Sequence, residues 1–406
     1  MYNVIIIGGG ASGLFLSVLL SEKGVKTLIL EKEDRVGKKL VRTGNSKCNF
    51  TNRELCLRHY HGKTAVIANA IQSFNLEKTL QFFNDLGIEY AADKEGRVYP
   101  RSYQAHAVLD VLRFKAEENG VLTECNKNVF EIEQKDNGFT VKTSDGGKYN
   151  CEKVVVSTGG KAGLAKQSDS VYEIIKKMGH DITEMHPALV QLSLKEKEPS
   201  QMSGMRWSGG VSLYIDNERV QTSSGDILFT DYGISGDAVL DISREAVLAL
   251  SKNRLTEIHI DLFPDISIAD TKIIIKERVK RFSNRKSEHF FTGVLNKKIG
   301  RTLLQYMGFN LNDEIIVLTG YEDDICRTLH DWVFRVRGHN GWSNAQVTAG
   351  GVSLDSLDEN SLESKNVKGL FFTGEVIDVD GDCGGYNLQW AWSSAYVVSK
   401  SIIKNK

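Results

Sequence analysis

The sequence contains only four prolines in 406 residues, and no two of its cysteines form a C-x-x-C arrangement. The scarcity of proline argues against a proline-rich linker between domains. The six cysteines are scattered along the chain, which argues against a structural zinc site and against a dense disulfide framework. We therefore expect a cytoplasmic protein whose thiols stay reduced.

Long apolar runs and an excess of charge of one sign are absent as well. No hydrophobic stretch approaches the roughly 20 residues of a membrane-spanning helix. The 51 basic and 52 acidic residues give a formal charge of −1, so no broad positive field exists to attract nucleic acid. The densest basic segment, 276–286, is interpreted as the solvated face of a helix. We expect no nucleic-acid partner, no membrane partner and, without an H-E-x-x-H motif, no metal.

Three consecutive glycines follow an apolar run near the start of the chain. The run Val4–Ile7 is β-branched and uncharged, which predicts a parallel strand buried on both faces. Gly8, Gly10 and Gly13 then satisfy G-x-G-x-x-G, and the next apolar segment predicts a helix that stops at Gly24. In this motif the glycines allow a tight turn, a close approach of backbone to a pyrophosphate, and helix–strand packing. The helix start offers free N–H groups and partial positive charge to phosphates.

An acidic residue follows at the distance expected for a ribose ligand. The segment 27–32 predicts a second strand that ends at Glu31, 18 residues beyond Gly13. A carboxylate about 20 residues after the glycines accepts hydrogen bonds from an adenosine ribose that carries no 2′-phosphate. The motif therefore predicts a bound ADP moiety, and both NAD and FAD remain open at this point.

A second glycine-led helix is predicted near the other end of the chain. Residues 370–372 predict a buried strand, 373–375 the turn after it, and 386–403 an amphipathic helix introduced by Gly384 and Gly385. Ligands of open α/β sheets bind at the carboxyl ends of the strands. This helix start would there stabilise negative charge on the N1–C2=O2 region of a flavin. A helix that merely seals the sheet is the alternative.

Seven motifs from the first strand to the last helix carry a resemblance to a known family: VIIIGGGASGL, GKKLVRTGNSKCNFTN, GRVYPRSYQA, VVVSTGGKA, GDILFTDYGISGDAVL, AQVTAGGV and LFFTGEVIDVDGDCGGYNLQWAWSSA. Through them the chain resembles the HI0933-like flavoproteins, which include aminoacetone oxidases and dehydro-bile-acid reductases. The resemblance implies non-covalent FAD. It also implies an α/β fold: a Rossmann-like, two-dinucleotide-binding-domain FAD fold with an inserted strand-rich domain that carries helices.

The resemblance also implies which residues bind FAD. The segment Gly37–Asn52 is expected beside the pyrophosphate and isoalloxazine, the backbone of Val129 beside adenine, and the turn 158–160 over the ADP half. Gly374 and Glu375 are expected beside the ribityl and phosphate groups, and 385–388 beside the flavin pyrimidine. With the first motif, the predicted cofactor-binding residues are Gly8, Gly10, Ala11, Ser12, Gly13, Glu31, Lys32, Lys38, Arg42, Thr43, Gly44, Asn49, Thr51, Val129, Thr158, Gly159, Gly160, Gly374, Glu375, Gly385, Tyr386, Asn387 and Leu388.

The middle of the chain has a different pattern. It predicts a hairpin that turns at 216–217, a strand within 255–263, and helices within 267–282 and 311–336. The predicted domains are 1–190 and 338–406 for FAD and 191–337 for the substrate, since pockets favour domain interfaces. Candidate substrate contacts, each with a packing role as its alternative, are Arg97, Tyr99, Arg206, Trp207, His339, Asn340 and Trp342.

Three further residues have two interpretations each. Asp237 stands where the family would have proline, and we interpret it as a helix cap, with a substrate contact as the alternative. Cys48 and Cys383 lie in segments assigned to the flavin. We interpret them as small packed thiols, and a redox pair is the alternative.

These observations predict an FAD-dependent oxidoreductase in which flavin N5 exchanges a hydride with a small organic substrate. The first hypothesis is a reductase of a conjugated C=C bond, with NADH or NADPH as a transient electron donor. One alternative is an amine oxidase of the aminoacetone type that uses O2. The other is a flavin-binding sensor or interaction protein without turnover. No catalytic residue is assigned, and both a monomer and a homodimer remain open.

Overall fold

A computed structural model describes residues 1–163 and 170–404. Its strands are β1 Tyr2–Ile7, β2 Thr27–Leu30, β3 Thr51–Asn52, β4 Tyr60–His61, β5 Tyr90–Ala92, β6 Arg97–Pro100, β7 Leu122–Glu124, β8 Val129–Lys135, β9 Gly138–Thr143, β10 Lys148–Val156, β11 His186–Ala188, β12 Leu192–Leu194, β13 Arg206–Ile215, β14 Glu218–Phe229, β15 Gly233–Ser235, β16 Thr256–Asp261, β17 Trp332–His339, β18 Val347–Ala349, β19 Leu370–Phe372 and β20 Asp380–Gly381. Its helices are α1 Ala11–Ser21, α2 Thr43–Ser46, α3 Thr64–Ser73, α4 Leu76–Asp85, α5 Ala105–Glu118, α6 Ser170–Lys177, α7 Glu198–Gln201, α8 Asp237–Ser251, α9 Ile268–Arg281, α10 Lys297–Tyr306, α11 Glu322–His330 and α12 Tyr386–Lys404.

The chain divides into two compact units. Unit 1 comprises Met1–His186 and Gln346–Lys406, and unit 2 comprises Pro187–Ala345. Unit 1 is built on a seven-stranded sheet of order β7-β2-β1-β10-β9-β8, in which β19 also pairs with β10. The pairs β7–β2, β2–β1, β1–β10 and β10–β19 are parallel, whereas β9 and β8 are antiparallel additions. This mixed α/β fold with a Rossmann-type parallel sheet confirms the predicted fold class.

The central strands of unit 1 are buried because they are apolar on both faces. Val4–Ile7 and Val154–Val156 are almost fully buried, as expected of strands covered on both sides by other elements. Their register aligns the carboxyl ends: Ile7 pairs with Leu30 and with Val156, and Val156 pairs with Phe372. The loops after β1, β2, β10 and β19 therefore leave the sheet at a common edge, where ligands of such sheets bind.

An aromatic cluster packs the last helix of the chain against the first. Phe15 of α1 lies 5.4 Å from Trp392 of α12 between ring centroids, and it also contacts Phe74 and Phe82. The indole Nε1–H of Trp392 donates to the carbonyl of Phe50 at 2.9 Å. Aromatic pairs of this kind contribute to stability beyond the burial of their area, and this pair holds α12 against α1.

Unit 2 contains a closed barrel of six strands in the order β12-β15-β14-β13-β16-β17. Its longest hairpin, β13–β14, turns at Asp216 and Asn217, which both have positive φ. A two-residue turn with positive φ at both positions matches the twist of the flanking strands, and the predicted hairpin is confirmed. Helices α7 to α11 complete the unit.

The helix predicted within 311–336 is confirmed by α11, which ends at His330 because 332–336 alternates buried and exposed residues as a strand does. One local prediction in the middle of the chain was wrong. The N-cap of α8 is Gly236, at φ +98°, and not Asp237. Asp237 lies in the first turn instead, where the positive end of the helix dipole stabilises its negative charge. Across residues 1–163 and 170–404, none of the helices combines the length and apolarity needed to span a membrane.

Candidate cofactor-binding site

The turn after β1 uses its glycines in two different ways. Gly8 has φ +104°, and a Cβ there would lie 2.6 Å from the carbonyl oxygen of Ser157. A Cβ at Gly13 would overlap the carbonyl oxygen of Gly8. At Gly10, the N-cap of α1, a Cβ would meet nothing within 4 Å. Gly8 and Gly13 are therefore required by the packing of the fold, whereas the open space at Gly10 lies at a helix start that can accept an anion.

Glu31 follows β2 and is only 9% exposed. Its Oε2 accepts a hydrogen bond from the N–H of Gly9 at 2.8 Å, and its Oε1 accepts one from the N–H of Glu33 at 2.8 Å. A carboxylate has about four lone-pair positions, so both oxygens keep acceptor capacity for a ligand hydroxyl. The carboxylate that was predicted to bind the ribose thus also fixes the glycine turn.

The turn after β19 contacts both of the helices that were predicted to face the cofactor, α1 and α12. Gly374 has φ +71°, and a Cβ there would lie 2.7 Å from the hydroxyl oxygen of Ser12 in α1. The N–H of Gly374 donates to Oγ of Ser394 at 2.9 Å, and the indole of Trp390 donates to its carbonyl at 3.1 Å. Both of these side chains belong to α12. The first turn of α1 and the body of α12 therefore meet at one glycine.

Glu375 connects three segments at the sheet edge. Its Oε2 forms an ion pair with Nζ of Lys39 at 2.5 Å, and its Oε1 accepts from the N–H of Thr348 at 2.9 Å. A Cβ at Gly160 would lie 2.6 Å from the same Oε1. The predicted Lys38 forms ion pairs with acidic residues of its own loop, at 2.9 and 2.6 Å. The neighbouring Lys39 is therefore the lysine that reaches this edge, a distinction that the repeated Lys-Lys sequence did not reveal.

The segment 43–49 has an unusual backbone and an unpaired buried carbonyl. Gly44, Asn45, Ser46 and Cys48 all have positive φ, a conformation that costs energy for residues other than glycine and that concentrates at functional sites. The side chain of Asn49 is buried, and its Oδ1 has no hydrogen-bond partner within the described part of the chain. An unpaired buried polar atom calls for a ligand or water.

Asn49 lies directly against the start of α12. Gly384 and Gly385 have φ of +134° and +98°, and a Cβ at Gly385 would lie 2.6 Å from both Asn49 Oδ1 and the carbonyl oxygen of Thr51. The first N–H groups of a helix have no intrahelical acceptors. The unpaired carbonyl of Asn49 therefore lies beside a helix start, an arrangement that suits a ring with alternating carbonyl and N–H groups.

Several predicted site residues are engaged elsewhere in the protein. The hydroxyl of Thr51 donates to Gln389 Oε1 at 2.6 Å. The side-chain Nδ2 of Asn387 donates to the carbonyl of Gly381 at 2.7 Å, and its Oδ1 accepts from the backbone N–H of Gly381. The remaining placements are as follows: Arg42 donates to the carbonyl of Gly163 at 3.4 Å, Thr43 donates to the carbonyl of Leu40, Lys32 is exposed, Val129 begins β8 and is buried, Tyr172 donates to the carbonyl of Gly159, Ala11 and Ser12 form the first turn of α1, and Tyr386 and Leu388 form that of α12.

Thr158 offers a second unpaired atom at the same edge. It follows β10, and its buried Oγ1 has no hydrogen-bond partner among residues 1–163 and 170–404. A Cβ at the next residue, Gly159, would meet nothing within 4 Å. The ADP end of the predicted site therefore has open space beside Gly10 at the start of α1, open space beside Gly159, and the unpaired hydroxyl of Thr158.

The candidate substrate contacts are for the most part held by intramolecular partners. Arg206 forms an ion pair with Asp226 at 2.8 Å, Trp207 donates to the carbonyl of Leu262, and the Asn340 amide donates to Gln191 Oε1 at 3.0 Å. His339 Nδ1 accepts from the N–H of Gly341, and Trp342 also has a partner. In unit 1, Tyr99 is close to Gly44, hydrogen-bonds Arg97, and lies 5.6 Å from Tyr103 between ring centroids, with the two rings tilted at 40°. Burial raises the pKa of Tyr99.

The two flavin-segment cysteines are not paired in the structure. Cys48 is fully buried, and this burial raises the pKa of its thiol to about 12. A thiol with such a pKa is protonated at neutral pH and is a poor nucleophile. The redox-pair alternative therefore has no support at Cys48.

Two groups of polar residues near the site were not predicted from the sequence. Gln389, fully buried in α12, accepts from Thr51 and Thr79 and donates to the carbonyl of Phe74 at 2.9 Å. His59 and His61 both contact the carboxylate of Asp382, just before the start of α12. The H-x-H spacing of the two histidines was the signal that could have indicated this cluster.

A family model for the HI0933-like protein Rossmann domain matches residues 2–401 of the chain. The chain belongs to this family. As an HI0933-like protein it is an FAD-dependent oxidoreductase, as predicted. The site fits that cofactor on structural grounds, because it has two helix starts, an open approach at Gly10, and the unpaired atoms of Asn49 and Thr158.

This HI0933-like chain aligns with curated relatives over almost the whole of both chains. It is 32% identical over 406 residues to the 3-dehydro-bile acid delta(4,6)-reductase of Clostridium scindens, with 99% of each chain covered. It is 30% identical over 414 residues to the ribosomal RNA dihydrouridine synthase of Escherichia coli, with 100% of this chain and 99% of the relative covered. Among solved structures, the 3-ketosteroid delta1-dehydrogenase of Sterolibacterium denitrificans has a TM-score of 0.52 at 12% identity over the whole of both chains, which shows a shared fold.

Proposed function

We propose that this protein is an FAD-dependent reductase of a carbon–carbon double bond conjugated to a carbonyl group in a small organic molecule. The observation that carries the proposal is the full-length similarity, at 32% identity, to a 3-dehydro-bile acid delta(4,6)-reductase. The dihydrouridine synthase relative is also named for the saturation of a ring double bond. The proposed chemistry is therefore common to two relatives that differ in substrate.

Each end of the proposed site has a defined task. The N–H groups at the start of α1, beside the open position of Gly10, bind the pyrophosphate, and Glu31 accepts from the ribose. The start of α12 contributes a partial positive charge near the isoalloxazine, worth about 0.3–1 kcal/mol at an exposed site and up to about 2 kcal/mol in a partly buried one. FAD bound here supplies hydride transfer at N5. The protein supplies orientation and charge.

A small molecule is preferred over RNA as the substrate because of the charge of the chain. A formal charge of −1 gives no general electrostatic attraction to phosphate backbones. In the densest basic segment, the guanidinium groups of Arg281 and Arg285 lie 5.5 and 4.4 Å from the centre of the Phe282 ring.

We assign the recognition of substrate to unit 2 and the binding of FAD to unit 1.

The test begins with the purified protein under anaerobic conditions. NADH or NADPH should bleach the flavin absorbance, and an enone such as 4-androstene-3,17-dione or 2-cyclohexenone should restore it. Gly10→Val, purified in parallel, is the matched control for flavin-independent reactions. Restoration by uridine-containing ribosomal RNA, but by no enone, would reassign the substrate. Bleaching by aminoacetone alone would instead favour the amine oxidase, and bleaching by no donor would favour a flavin-binding sensor.

A further inference from the structure

A carboxylate bridges two histidines next to the proposed flavin site. The ring Nδ1–H of His59 donates to Oδ2 of Asp382 at 2.9 Å, and the ring Nε2–H of His61 donates to Oδ1 at 3.1 Å. The strands β4 and β20 make this possible, because their antiparallel pairing places Tyr60 opposite Gly381. The backbone N–H of Asp382 also donates to the carbonyl of His59 at 2.9 Å. The cluster is therefore held by backbone as well as side-chain bonds.

The cluster is attached to the start of α12. Asp382 precedes Gly384 by two residues, and the ring of His59 stacks on Tyr386, the first residue of the helix, at 4.4 Å and 15°. The hydroxyl of Tyr60 donates to the carbonyl of Tyr386 at 3.1 Å. The helix start that was assigned to the isoalloxazine and the histidine cluster thus form one connected structure.

The two imidazoles differ in their free nitrogen. Nε2 of His59 accepts a hydrogen bond from Nε of Arg58 at 3.2 Å, so both ring nitrogens of His59 are engaged. Nδ1 of His61 has no partner among residues 1–163 and 170–404. Its side chain is 29% exposed. An imidazole fixed at one nitrogen by a carboxylate and free at the other is the arrangement of a general acid or base.

Several charged groups lie around His61. Burial alone would raise the pKa of Asp382, but hydrogen bonds from His61 and His59 hold that pKa below its usual value. Asp382 is therefore ionised at neutral pH and places a negative charge at hydrogen-bond distance from Nε2 of His61. Asp380 lies opposite His61 in the strand pair, Arg58 engages His59, and Lys63 is paired with Asp355.

We infer that Nδ1 of His61 is the proton source for the proposed reduction and that Asp382 is its positioning residue. This inference rests on the proposed function. Saturation of a conjugated C=C bond breaks its π bond and forms two C–H bonds. The β-carbon receives a hydride, with both electrons, from the reduced cofactor. The α-carbon receives the proton from the His61 imidazolium, which then regains a proton from water.

The experiment measures reoxidation of the reduced, FAD-loaded enzyme by an enone. Enzyme reduced photochemically without oxygen is mixed with 2-cyclohexenone or 4-androstene-3,17-dione across the range of histidine titration, about pH 5.5 to 8.5. The wild-type rate should be high below the His61 inflection and fall as the pH rises through it. His61→Gln should be slower by a factor on the order of 10² or more, without that inflection.

Two further variants separate the role of a proton source from a structural role. Asp382→Asn removes the negative charge beside the His61 ring, so the inflection should move to lower pH. His59→Gln replaces the other histidine that contacts Asp382. Its pH–rate profile should keep the inflection, whether or not the overall rate changes. In His61→Ala, added imidazole should restore reoxidation, which a purely structural loss would not allow.

The outcomes distinguish the two proposals. If no enone reoxidises the reduced wild-type enzyme, the proposed function is wrong and the role of His61 is withdrawn with it. If the wild type is reoxidised and His61→Gln retains its rate and pH profile, only the assignment of His61 is wrong. The same holds if His61→Ala binds FAD normally and added imidazole restores nothing.

Discussion

Replacing Gly10 with valine should remove FAD binding without unfolding the protein. A Cβ at this position meets no atom within 4 Å, and the backbone, at φ −81° and ψ −164°, is extended. Valine adopts such a conformation readily, so the stability of the apoprotein should change by no more than about 1 kcal/mol. The side chain would occupy the space through which the pyrophosphate approaches the start of α1.

The magnitude of the effect on FAD follows from the lost hydrogen bonds. Each bond from a backbone N–H to a charged phosphate contributes about 1.5–3 kcal/mol. The loss of two such bonds corresponds to a dissociation constant roughly 10² to 10⁴ times higher, at about 1.4 kcal/mol for each factor of ten. Quenching of flavin fluorescence on titration of the apoprotein measures this constant, and circular dichroism measures the thermal unfolding of the apoprotein.

The matched control is Gly13→Ala. Its Cβ would overlap the carbonyl oxygen of Gly8, so the apoprotein itself should lose on the order of 1–3 kcal/mol of stability through overpacking. The reasoning is refuted if Gly10→Val binds FAD as tightly as the wild type. It is equally refuted if the Gly10→Val apoprotein is destabilised as much as that of Gly13→Ala.

Three other substitutions or treatments test neighbouring parts of the site. Asn49→Ala removes an unpaired buried carbonyl, so the apoprotein should lose little or no thermal stability while FAD affinity falls by about 1–3 kcal/mol; equal FAD affinity would exclude Asn49 from the site. Glu31→Gln keeps one acceptor oxygen, and calorimetry should find weaker FAD binding by about 1.5–3 kcal/mol; unchanged binding would contradict the ribose assignment. Because the thiol pKa of Cys48 is raised to about 12, iodoacetamide at neutral pH should modify exposed Cys56 and leave Cys48 intact in a peptide map; rapid modification of native Cys48 would show that it is not buried.

Local sequence patterns predicted the elements that hold the FAD site. The strand Val4–Ile7, the glycine turn and α1 follow from β-branching, glycine spacing and an apolar helical run. The same signals at the other end predicted β19 and α12. These features could be predicted because each depends on residues close together in sequence.

The partners of individual side chains could not be predicted in this way. Lys39 reaches Glu375 across 336 residues of sequence, although Lys38 looked equivalent. Thr51 and Asn387 have the donor groups that a flavin site needs, but Gln389 and Gly381 engage them. Closure of the barrel in unit 2 likewise depends on the pairing of β12 with β17, strands far apart in the chain.

A crystal structure of the protein with its native cofactor tests the central claim most directly. The account predicts one FAD per chain, with its pyrophosphate at Gly10 and the start of α1, and the pyrimidine edge of its flavin at Asn49 and the start of α12. A different nucleotide, or an FAD that contacts only one of the two helix starts, would contradict it.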